Sequence, residues 1–169
     1  GDNKFKYEEA ALQDLNENDI FFDIDNGWNT PIKRGALYPK LKEQKVKIYT
    51  VLYDLTPLLT PGYAEQNTLR GYVGYVSAIM TYSDLIFCIS RATERDLQSI
   101  AREVGLERQL NTSVIKLGSD FTILKKSSKK TKNTTESRGI KGKYILMVGT
   151  VEPRKRHDVL IDAYDKVRK

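Results

Sequence analysis

Ser83-Asp-Leu-Ile-Phe-Cys-Ile-Ser-Arg-Ala-Thr-Glu-Arg-Asp-Leu97 is the stretch on which the fold turns. Leu85 to Ile89 is a short apolar run without strict alternation, as strands buried on both faces read. Ser90 follows as a predicted N-cap, with Glu94 near the first turn. Leu97, Ile100, Ala101 and Val104 then repeat at helical spacing until Gly105 stops the helix. One strand, one cap and one helix make a βα unit.

The same alternation extends outward in both directions. Apolar β-rich runs recur at Ile20 to Ile24, Val46 to Leu52, Val114 to Leu117 and Tyr144 to Val148. A long stripe, Leu69, Tyr72, Val73, Val76, Ile79 and Met80, predicts a helix before the decisive strand, and its plain purpose is core packing. Val159, Leu160, Ala163, Tyr164 and Val167 predict a last helix, with Pro153 suited to its first turn. Strands alternating with helices predict an α/β class: a Rossmann-like parallel sheet with helices on both faces.

Composition narrows the function. With 169 residues, 40% hydrophobic and 30% charged, the chain has the make-up of an ordinary globular protein. No apolar run approaches the roughly 20 residues of a membrane-spanning helix, so no transmembrane segment is expected, although peripheral membrane contact stays open for a full protein. The single cysteine, Cys88, excludes an intramolecular disulfide and a cysteine metal cluster and fits a cytoplasmic setting. The start, Gly1-Asp-Asn-Lys, has no leader pattern and reads as an internal cut.

The net charge of +6 has one source. Lys125, Lys126, Lys129, Lys130, Lys132, Arg138, Lys141 and Lys143 stand against Glu136 alone, and the rest of the chain is nearly neutral. A basic excess confined to a Ser/Thr/Lys-rich stretch is a solvated linker rather than a reading surface, so no nucleic-acid partner is expected. Three parts result: residues 1–117 as a sheet domain, 118–143 as a basic interdomain linker, and 144–169 as the strand-turn-helix of a second, truncated domain.

Candidate chemistry gathers at two places. Gly149-Thr-Val-Glu-Pro-Arg-Lys155 puts Arg154 and Lys155 at the predicted opening of a helix, where N–H groups and the dipole favour phosphate oxygens; the bland alternative is an exposed, decorated turn. Trp28, in the loop Asp25 to Pro31 after the first strand, either stacks on a ligand or covers the core. Asp54 either binds a substrate hydroxyl or bonds the backbone of the Thr56-Pro57 turn. His157 has no metal-ligating neighbour in sequence, Ser90 no base to make it a nucleophile, and no metal site is expected. Asn111-Thr-Ser and Asn133-Thr-Thr match the glycosylation pattern and are read as chance matches.

Four stretches in order resemble the family 4 retaining glycosyltransferases of GT-B fold. They are Val51-Leu-Tyr-Asp-Leu-Thr-Pro57, Ser83 to Leu97, Lys116-Leu-Gly-Ser-Asp120, and Val148-Gly-Thr-Val-Glu-Pro-Arg-Lys155 followed by Val159-Leu-Ile-Asp-Ala-Tyr164. The resemblance implies two Rossmann-like domains facing across a cleft, with residues 1–117 on the acceptor side and 144–169 opening the donor side. It implies a hexosyltransferase of polysaccharide biosynthesis that takes a nucleotide diphosphate sugar as donor and a saccharide or lipid-linked acceptor, with no cofactor and no required metal. Lys155, with Arg154 beside it, would hold the donor diphosphate; the family's commonest arginine position is Thr150 here. Tyr53 stands where the family has a histidine, and a phenol is a poor proton shuttle at neutral pH. Tyr53, Asp54 and Trp28 are the acceptor-side candidates. The acidic catalytic residues are expected beyond Lys169, so this chain alone is expected to be inactive. The competing reading is a non-catalytic flavodoxin-like or response-regulator-like binding module, with Asp23, Asp25 and Asp54 imitating a phosphoacceptor cluster.

Overall fold

The computed structural model describes residues 11–24, 27–118, 139 and 142–168. The chain divides into two compact units, 1–117 and 118–169. The stretch expected to link two domains lies almost wholly outside the described residues, as do Asp25, Lys130 and Asn133.

The first unit is a four-stranded parallel sheet in the order β1-β2-β3-β4. The strands are β1 (Ile20–Asp23), β2 (Lys47–Leu52), β3 (Leu85–Cys88) and β4 (Thr112–Val114). Between them run α1 (Arg34–Glu43), the short α2 (Thr56–Leu59), α3 (Gln66–Tyr82) and α4 (Arg91–Glu103). The α/β class and the Rossmann-like parallel sheet are as the sequence predicts. Because strand order follows chain order and such crossovers are right-handed, every crossover helix falls on the same face. The crossover helices described therefore share one side of this sheet. Burial agrees: Ile86 and Cys88 of β3 are buried while Leu85 and Phe87 are half-buried, and Phe22 of β1 remains 50% exposed.

One core fills the covered side. Tyr38 and Leu41 of α1, Tyr72, Val76 and Ile79 of α3, and Leu97 and Ala101 of α4 close over Ile48, Leu52, Ile86 and Cys88. Val73, read from its spacing as part of the α3 stripe, is 50% exposed, because the buried face is centred on Tyr72, Tyr75 and Val76 instead. Polar groups inside are paired: the Thr50 and Ser83 hydroxyls meet at 2.8 Å, and the Thr93 hydroxyl donates to the Tyr53 carbonyl at 3.2 Å. Ser90 caps α4, its hydroxyl accepting from the Thr93 N–H at 3.1 Å, and Gly105 follows the helix at φ 68°, a left-handed position that suits glycine.

Two strand expectations are corrected. The fourth strand is Thr112–Val114 rather than Val114 to Leu117, because pairing with Ile86, Phe87 and Cys88 sets its place at the sheet edge. Tyr144 to Val148 forms no strand among the described residues: a strand exists only through ladder bonds, and these apolar residues have no partner edge. Among the described residues of the second unit the regular elements are a 3-10 turn, Pro153–Lys155, and α5 (His157–Val167).

Candidate functional site

The carboxyl end of β1 is built around a buried charge. Asp23 is 4% exposed and accepts three hydrogen bonds: from the Arg34 guanidinium through Nε at 2.5 Å and Nη2 at 2.9 Å, and from the Tyr38 hydroxyl at 2.6 Å. Nη1 of Arg34 reaches the Thr30 hydroxyl at 3.2 Å and the Ile32 carbonyl at 3.1 Å. The guanidinium thus ties strand, loop and α1 together, and its hydrogen bond to Asp23 raises its pKa above the ordinary value. Burial first, then the Asp23 bond, pushes the Tyr38 phenol up, so it stays a neutral donor. Gly27 packs so closely here that a Cβ would lie 2.7 Å from Arg34 Nε and 2.9 Å from the Tyr75 ring.

Next to this network lies a pocket of about 330 Å³ bordered by Trp28, Lys33, Arg70, Gly71, Gly74 and Tyr75. Trp28 is half-buried and meets Tyr72 edge to face at 6.1 Å, and Tyr72 meets Tyr75 the same way at 5.9 Å. The Tyr72 hydroxyl donates in turn to the Asp54 carbonyl at the end of β2. Burial, followed by the nearby Asp54 charge, raises Tyr72, so this link too is a neutral phenol. Trp28 and Asp54, nominated separately in the sequence, are therefore joined through Tyr72. Trp28 both packs against the core and borders the pocket. The exposed Asp54 carboxylate accepts from the Thr56 N–H at 2.9 Å, the turn-forming alternative. Tyr53 is half-buried with its carbonyl engaged by Thr93.

The basic turn of the second unit differs from expectation in one respect. Lys155 does not open α5: it ends the 3-10 turn Pro153–Lys155, and Arg156, at φ 53° and ψ 45°, separates that turn from His157. A non-glycine residue in the left-handed region breaks the helical path, which is why the cations stand before the helix rather than in its first turn. Arg154 holds Glu152 at 2.8 Å and Arg156 holds Asp158 at 3.1 Å. Glu152 is lowered first by the Thr150 hydroxyl, at 2.6 Å, and then by the Arg154 charge. Lys155, exposed between the two arginines, makes no ion pair among the described residues.

The remaining nominated groups are structural. Ser90 is a cap, Cys88 is buried with its thiol pushed up to about 12, chiefly by desolvation, and the Asn111 amide donates to the Asp84 carbonyl at 3.1 Å. His157 begins α5, its Nδ1 buried and unpartnered among the described residues. Among the described residues no three His, Cys, Asp or Glu side chains converge as a metal site would need. No described helix is long and apolar enough to cross a membrane. Sequence reasoning missed Arg34, Tyr38, Lys33 and Arg70 as site residues and read Tyr72 only as part of a core stripe.

A parallel α/β sheet with an aromatic pocket among its loops defines a Rossmann-like α/β class, and the fold alone names no function. Sequence comparison is more specific. Over 119 residues the chain is 27% identical to the serotype-specific mannosyltransferase WbdA of Escherichia coli, in two forms. The match covers 70% of this chain and 14% of the relative, so the chain spans a small part of the proteins it resembles. That similarity relates the chain to a glycosyltransferase. No family model matches it, and no solved structure matches it.

Proposed function

We propose that the chain is part of a retaining glycosyltransferase of GT-B architecture, family 4 type, which moves a hexose from a nucleotide diphosphate sugar onto a saccharide or lipid-linked acceptor in cytoplasmic polysaccharide synthesis. In that reaction the bond from the sugar's anomeric carbon to the diphosphate breaks, a bond to an acceptor oxygen forms on the same face, and the acceptor proton leaves with the nucleotide. Residues 1–117 supply the acceptor side, 118–143 the linker and 144–169 the start of the donor side. The acidic catalytic pair belongs to sequence beyond Lys169. The relative's printed activity makes mannose the first sugar to test.

The observation that supports this reading is the Arg154-Lys155-Arg156 turn, in which the outer cations each hold a carboxylate and Lys155 holds none among the described residues. An unpaired ammonium flanked by neutralised arginines suits a diphosphate, with Arg154 released from Glu152 as its partner. Tyr53, Asp54 and Trp28 serve the acceptor. The buried Asp23 disfavours the phosphoacceptor alternative, since a carboxylate locked by Arg34 and Tyr38 is not open to phosphate or metal.

Lys155→Ala in the full-length protein is expected to weaken nucleotide sugar binding by roughly tenfold to a hundredfold, the worth of one charge-assisted bond of about 1.5–3 kcal/mol. Lys130→Ala is expected to leave it unchanged. Calorimetry that finds wild-type affinity in Lys155→Ala for every productive donor would sink the donor-site assignment.

A further inference from the structure

The pocket beside Trp28 has features that core packing does not account for. Gly74 lies within α3, where glycine costs about 1 kcal/mol relative to alanine, yet nothing stands within 4 Å of a Cβ built there. Gly35, also in the lining, likewise faces open space. Their absent side chains leave room rather than allowing a close contact. The volume of about 330 Å³ is at the lower end of ligand pockets, enough for a single sugar ring.

The chemistry of the lining is asymmetric. Trp28 is half-buried, and Tyr75, also in the lining, is a phenol that burial keeps neutral. Arg34 is spent on Asp23, Thr30 and Ile32. Lys33 and Arg70 are not: Lys33 makes only a long contact of 3.4 Å to the Trp28 carbonyl, and Arg70 makes no ion pair among the described residues. No carboxylate is among the described residues that line the pocket. Two cationic side chains among the lining residues, neither in an ion pair among the described residues, and an aromatic wall beside a sugar-sized space suit a ring that carries negative charge.

We propose that this pocket binds an anionic sugar, its ring against Trp28 and its phosphate or carboxylate between Lys33 and Arg70. Resting on the glycosyltransferase reading, this deepens it: the acceptor is a saccharide charged close to the sugar that enters the pocket. Trp28 is the sole tryptophan, so intrinsic fluorescence reports on the pocket directly.

The test titrates the chain with glucose 1-phosphate, glucuronic acid, glucose and inorganic phosphate. A saturable change in Trp28 emission is expected with at least one anionic sugar, at concentrations at least tenfold below those glucose or inorganic phosphate requires. Which anionic sugar binds more tightly separates phosphate from carboxylate. Arg70→Ala and Lys33→Ala, both surface changes, should each weaken binding about tenfold, and Gly74→Leu should abolish it by filling the pocket. If Gly74→Leu unfolds by circular dichroism, the two surface variants decide. No saturable change with either anionic sugar, or wild-type affinity in both Arg70→Ala and Lys33→Ala, would overturn the proposal. Equal binding of glucose would overturn the charge requirement, and equal binding of inorganic phosphate the sugar requirement. Donor binding at Lys155 is not involved, so the two readings fail separately.

Discussion

Leu85-Ile-Phe-Cys88 and Tyr144-Ile-Leu-Met-Val148 are near equals as sequence, yet the first is a ladder-bonded central strand and the second pairs with nothing described. Ile86 and Cys88 are fully buried, whereas Leu146 is 72% exposed. Apolar β-rich composition supplies a tendency, and the neighbouring edge supplies the strand. For β3 that edge comes twice, from β2 and β4. The difference teaches that pattern alone locates what wants to be a strand, while hydrogen-bond partners decide whether it is one.

The contrast can be broken at its strongest point first. Asp23→Ala would strand the Arg34 guanidinium, 10% exposed at its side chain, without its carboxylate; about 3–5 kcal/mol of the first unit's stability should go, measured by urea unfolding followed by circular dichroism. A loss below about 1 kcal/mol would mean that the network is not structural. Leu97→Ala should cost about 2–5 kcal/mol by opening the core, and Leu146→Ala less than about 0.5 kcal/mol. Equal effects in the same unfolding experiment would erase the distinction between the two regions. A smaller loss than at Leu97 is expected at a cap: Ser90→Ala should cost about 1 kcal/mol because the Thr93 N–H loses its acceptor, with Ser90→Asp largely restoring it. A cap that can be removed without change in the unfolding midpoint would show α4 held by packing alone.

Local signals made much of the first unit legible. The runs at Ile20, Val46 and Leu85 are strands, the stripes before and after Leu85 are helices, and Ser90 and Gly105 bracket α4 as their chemistry requires. α1 was not foreseen, since Leu37, Tyr38 and Leu41 are few apolar residues for ten and Pro39 sits inside the helix, removing a backbone donor. Thr112-Ser-Val114 reads as polar and becomes a strand only at the sheet's edge. The site was less legible than the fold. Asp23 and Arg34 are bound across eleven residues, and Trp28 reaches Asp54 only through Tyr72, contacts that no spacing rule encodes. At Lys155 the residue types pointed to the turn, but the left-handed Arg156 that displaces it from the helix leaves no mark in composition.

Strand order that follows chain order has a kinetic meaning. Ile20 pairs with Lys47, Tyr49 with Leu85 and Ile86 with Thr112, so each pairing closes a loop of roughly thirty residues, and loop entropy changes only slowly with such lengths. The three closures carry similar entropic barriers, and none must wait for a segment from the far end of the chain. Folding of this unit can therefore begin at any of its three crossovers and spread to the next, each step limited by closing a parallel pairing of similar span.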